Sequence, residues 1–93
     1  MIVGIVKLIL FFPASGNLKE KRMVLRSLKE KLRARFNVAV AEIDDQDKWQ
    51  RSTLALATVG TDKASVNSLL SHLVNHLESN THIQLLDYEM ELL

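Results

Sequence analysis

From Ile2 to Phe12 apolar side chains follow one another almost without a break, and their alternation separates two faces. Ile2, Gly4, Val6, Leu8, Leu10 and Phe12 share one side; Val3, Ile5, Lys7, Ile9 and Phe11 share the other. Both sides are largely apolar, which predicts a strand in the middle of a sheet rather than at its rim. Pro13-Ala14-Ser15-Gly16 reads as a turn. Asn17, with Glu20 three residues on, has the capping-box pattern that opens a helix. Leu18, Leu25, Leu28 and Leu32, with Val24 alongside, recur at helical spacing and carry that helix to about Arg35.

Phe36 to Ile43 returns to strand character, and Asp44-Asp45-Gln46-Asp47 is a turn. A third strand, Trp49 to Val59, sets Leu54 and Leu56 against Thr53, Ala55 and Ala57. Gly60-Thr61-Asp62 supplies a turn and a second N-cap. Val66, Leu69, Leu70, Leu73, Val74 and Leu77 then form the stripe of a helix ending near Ser79-Asn80. The last strand, His82 to Leu92, alternates Leu86, Tyr88, Met90 and Leu92 with Asp87, Glu89 and Glu91. The order β-α-β-β-α-β, with right-handed crossovers, predicts an α+β ferredoxin-like sandwich. It is a single domain over residues 1–93: a four-stranded antiparallel sheet, first and third strands central, with both helices on one face.

Composition narrows the chemistry. Ninety-three residues make one core, and the absence of cysteine excludes a disulfide framework, a thiol nucleophile and thiolate metal sites. The apolar N-terminal run has Lys7 in its middle, no small-residue cleavage signal after it, and far fewer than the roughly twenty residues of a membrane span. The expectation is a cytoplasmic protein without membrane contact.

The net charge of +1 hides a polarised distribution. Between Lys19 and Arg35 stand eight basic and two acidic residues, a local +6, against four basic and nine acidic elsewhere, −5. Lys19, Arg22, Arg26, Lys29 and Arg33 recur at steps of three and four, and so form one stripe; Lys21, Lys31 and Arg35 broaden it. Such a stripe suits an anionic backbone, most simply RNA, and is equally a solvated face offset by acids elsewhere. We take Lys19, Lys21, Arg22, Arg26, Lys29 and Arg33 as candidate RNA- or anion-binding residues. The loop Ser15-Gly16-Asn17 before the helix is a candidate phosphate cradle, although ordinary capping by Asn17 explains it as well.

With both helices on one side, the other sheet face meets water or a partner. Val3, Ile5, Ile9 and Phe11 beside Thr53, Ala55 and Ala57 form an apolar patch with few charges. Its middle is aliphatic or small and lacks the aromatics on which RNA-recognition sheets stack bases, so it suits a protein partner or a homodimer better than RNA. Trp49 is either an exposed anchor or packing at the sheet end. Arg51 is either a contact residue or the ion-pair partner of Glu42 or Asp44. Val3, Ile5, Ile9, Phe11, Trp49 and Arg51 are the candidate interaction residues.

Catalytic and metal signals are thin. Glu42, Asp44, Asp45 and Asp47 crowd one hairpin without the spacing or glycine of a calcium loop. His72 and His76 are four apart but lack the intervening glutamate and a third ligand. No nucleophile elbow or glycine-rich phosphate cradle occurs. The expectation is a non-enzyme with no catalytic residue, metal or cofactor.

Asn17-Leu18-Lys19-Glu20-Lys21-Arg22, then Arg33-Ala34-Arg35-Phe36-Asn37-Val38, Ala41-Glu42 through Asp47 and Trp49-Gln50-Arg51, resemble motifs of the YlxP-like family of small bacterial proteins of unknown function. The resemblance spans essentially the whole chain. It departs at Asn17, where the family often has serine, another N-cap. It implies the ferredoxin-like fold and a bacterial cytoplasmic protein whose relatives are often encoded beside translation-factor and ribosome-maturation genes. That is the setting of an accessory protein that contacts RNA or a ribosomal assembly.

Overall fold

A computed structural model describes residues 1–93. The elements are β1 (Ile2–Phe11), α1 (Leu18–Arg35), β2 (Ala39–Asp44), β3 (Arg51–Gly60), α2 (Lys63–Glu78) and β4 (Gln84–Leu92). The four strands form one antiparallel sheet in the order β2-β3-β1-β4, the ferredoxin-like arrangement. Each of β2, β3 and β4 begins two or three residues later than periodicity predicts, because local hydrogen bonds claim the approach. The Phe36 N–H closes the last turn of α1 on the Leu32 carbonyl, and the Val38 N–H turns back to Phe36. The Lys48 N–H closes a turn on the Asp45 carbonyl before Trp49, and the Asn80 side chain takes the His82 N–H before β4.

Capping follows the sequence. Asn17 Oδ1 accepts from the Glu20 N–H at 2.9 Å, and Glu20 Oε2 accepts in return from the Gly16 N–H at 2.8 Å. At α2, Asp62 Oδ1 accepts from the Ser65 N–H at 2.8 Å, which holds the Asp62 carboxyl below its usual range.

The core is a cluster of 15 buried apolar residues: even-numbered positions of β1 and β3 on the sheet side, and the leucine stripes of the two helices on the other. α2 presses hardest on the sheet. A Cβ at Gly4 would collide with Val66 and Leu70, and one at Gly60 would stand 2.7 Å from Val66 Cγ2, so glycine lets the helix come this near.

Both sheet edges are partly closed. Val3 and Leu93 exchange both backbone hydrogen bonds, so the backbone groups of Tyr88, Met90 and Leu92 alternate outward along β4. The outward N–H of Tyr88 is taken by Asp87 Oδ1 at 2.9 Å. On β2, the Val40 and Glu42 carbonyls accept from the side chains of Arg33 and Gln46, at 3.4 and 3.5 Å.

Candidate functional site

The helical spacing of Lys19, Arg22, Arg26, Lys29 and Arg33 places them along one side of α1, flanking its buried stripe. Four are exposed and Lys29 is half-buried, and no carboxylate oxygen lies within 4 Å of any of their nitrogens. Arg33 also reaches down to the Val40 carbonyl, which sets the row beside the β2 edge. At about 1.5 Å rise per residue the five cations span roughly 21 Å.

Lys21 does not belong to this surface. Its side chain is 1 % exposed, donates to the Asp45 carbonyl at 2.6 Å and pairs with Glu42 Oε2 at 2.9 Å. Glu42 accepts as well from the Ser52 hydroxyl at 2.6 Å. The position lies on the apolar stripe, four residues before Leu25, and charge alone does not reveal that. In the loop before α1 the Gly16 N–H is taken by the Glu20 carboxylate and the Glu20 N–H by Asn17 Oδ1, the ordinary capping arrangement.

Of the hairpin acids, Glu42, Asp44 and Asp45 are engaged, Asp44 by the Asp45 N–H at 2.8 Å. Asp45 sits in the left-handed region (φ 65°), which aspartate tolerates in turns, and is buried. Its carboxylate accepts from the Thr53 hydroxyl at 2.7 Å and Arg51 Nε at 3.2 Å, and pairs with Lys48 at 3.2 Å. The Thr53 bond foremost, with Lys48 and Arg51 behind it and burial opposing, keeps its pKa low. Arg51 therefore pairs with Asp45 rather than with Glu42 or Asp44. Trp49 lies outside the strand and is 48 % exposed. No group of three histidine, cysteine or acidic residues is arranged to hold a metal ion, and no helix is long and apolar enough to cross a membrane. His76 packs edge-on to Phe36, and burial first, then Arg35 and Lys31, lower its pKa from 6.5.

The sheet face away from the helices carries Val3, Ile5, Ile9 and Phe11, all half-buried, beside Ala55 and Ala57. The β4 acids Asp87, Glu89 and Glu91 flank them, cross-strand from Ile9, Lys7 and Ile5.

A family model described as "Protein of unknown function (DUF503)" matches residues 3–90, nearly the whole of this sandwich. The chain belongs to the DUF503 family. It is 33% identical over 70 residues to the "Uncharacterized protein YlxP" of Bacillus subtilis (strain 168), a match covering 75% of this chain and 76% of that protein. One feature of this DUF503 chain escapes sequence reasoning. A groove of about 510 Å³ runs between α1 and the loop after α2, floored by Phe12, Leu28 and Ile83 and rimmed by Met23, Lys31 and His82. Its one sequence signal is Met23 and Val24, adjacent apolar residues that sit on the exposed side of the helical stripe.

Proposed function

We infer that this DUF503 protein is a non-catalytic accessory protein that binds an RNA backbone, free or within a ribosomal assembly, through the outer side of α1. The observation that carries this reading is the row Lys19, Arg22, Arg26, Lys29 and Arg33, which has no carboxylate partner in its own chain. Consecutive cations rise by about 4.5–6 Å along the helix axis, the scale of successive phosphates on one strand. Binding would come from displaced counterions, with little reading of bases. Lys21, locked inside, takes no part.

Affinity for a single-stranded RNA, measured against salt, tests the reading. Five phosphate contacts give a log–log slope of about −3.5, and Arg22, Arg26, Lys29 and Arg33 all changed to Gln leave about −0.7. Equal affinity and equal slope for the wild type and a folded quadruple variant would refute it.

A further inference from the structure

We propose that the open sheet face is the self-association surface of this chain, closing a two-fold dimer whose axis runs along the strands. The face is built in parallel rows. β1 presents a ridge of bulky side chains, Val3, Ile5, Ile9 and Phe11; β3 and β2 present a furrow lined by Ala55, Ala57, Ala39 and Ala41. β4 presents the carboxylates Asp87, Glu89 and Glu91, with Gln84 beyond the bulge beside Phe11.

Two such faces packed with aligned strands have two symmetric choices. An axis across the strands sets β1 on β1 and β4 on β4, ridge against ridge and acid against acid. An axis along the strands sets β1 of each copy over β3 of the other, so bulky side chains enter the alanine furrow. It also lays Glu89 and Glu91 over the uncharged Ala41 and Ala39 of the partner, and sets Asp87 alone at the level of the partner's Asp44. Register fixes the levels: Lys7, Ala55, Ala41 and Glu89 are cross-strand neighbours on one line, so Glu89 of one copy faces Ala41 of the other. Lys7 stands cross-strand from Glu89 of its own chain and so has a counter-ion within reach when covered.

Size agrees. Strands about 4.8 Å apart, about 33 Å long in β1 and β3, about 30 Å in β4 and about 20 Å in β2, make a plane of roughly 560 Å² before side-chain relief. That lies between the about 500 Å² per partner of a minimal specific interface and the about 800 Å² of a standard one. The edges compete poorly: acids and the Asp87–Tyr88 bond guard β4, and Arg33 and Gln46 cap carbonyls of β2.

Light scattering of the purified chain tests the proposal. The wild type is expected at twice its 10.5 kDa chain mass at about 100 μM, where an interface of this size is populated. Ala57→Arg, in the furrow, should weaken the dimer by about 30-fold or more. Ala41→Arg, placed opposite Glu89 of the second copy, should strengthen it and make it salt-sensitive. The chain has no cysteine, so engineered thiols report cleanly. A cross-linker of about 10 Å, the spacing of packed sheets, should join Ala41→Cys to Glu89→Cys in a mixture, and join Glu89→Cys to itself far less. A wild type that stays at the single-chain mass overturns the proposal. So does faster 89–89 than 41–89 cross-linking, or a folded Ala57→Arg chain of unchanged mass.

Discussion

The two helices lie in one layer on one sheet, yet they solve the problem of facing water in different ways. Between Ala64 and Leu77, α2 contains no Lys, Arg, Asp or Glu; Ser65, Asn67, Ser68, His72 and Asn75 make its exposed side. α1 carries eight cations and two acids over a similar length. α2 shows that covering this sheet requires no charge at all. The exposed cations of α1 are therefore no demand of the fold, and each like-charged pair at helical spacing costs about 0.2–0.5 kcal/mol. The helices also grip the sheet differently: α2 presses apolar side chains onto Gly4 and Gly60, whereas α1 sends an ammonium group into the hairpin.

Changing Lys21 to Ala breaks that grip and leaves Glu42 without its cation, at a cost of about 3–5 kcal/mol in urea unfolding. Arg26→Ala, one turn along on the exposed row, should stay within about 0.5 kcal/mol. Lys21→Met combined with Glu42→Leu should recover most of the Lys21 loss, since no buried charge is then left alone. At the α2 contact, Gly4→Val forces Val66 and Leu70 aside and should cost about 1–3 kcal/mol, read as a lowered thermal midpoint. Replacing Arg22, Arg26, Lys29 and Arg33 with Gln should raise stability at low salt by a few tenths of a kcal/mol per relieved pair, and the gain should vanish at about 1 M salt. Lysines at Ser65, Ser68 and Asn75 of α2 should produce the opposite trend.

The smallest effect is that of His76, between the two helices' cationic and neutral surfaces. Its folded pKa lies below 6.5, so the unfolded chain takes up the proton first. Stability is complete above pH 6.5 and falls as pH drops through the folded value. His76→Phe should flatten that stretch of the urea-midpoint profile, which a titration between pH 7.5 and 5 would show.

Much of the architecture was legible because the signals are local. Val6, Leu8 and Leu10 alternate as a central strand must, Asn17 and Glu20 cap reciprocally, and Val66 to Leu77 keeps a helical period. Strand starts were misplaced where backbone groups at Phe36, Lys48 and His82 found nearer partners than the sheet. In the candidate site the charge row was readable from spacing, but the fate of Lys21 was not. Its acceptors, Glu42 and the Asp45 carbonyl, lie more than twenty residues away, and the second depends on a left-handed turn that composition does not announce. The groove beside Met23 likewise needs two distant segments to meet.

Lys21 has a consequence for direction as well as for strength. A helix seated only on leucines is free to roll a little on its bed, because apolar contact has no preferred azimuth. An ammonium held by one carboxylate and one carbonyl works as a key in a slot, since a turn of the cylinder would pull it out of both. The cation row one residue further on, at Arg22, is thereby held on a fixed bearing relative to the sheet. An approaching polyanion would then meet a rail that is already aimed.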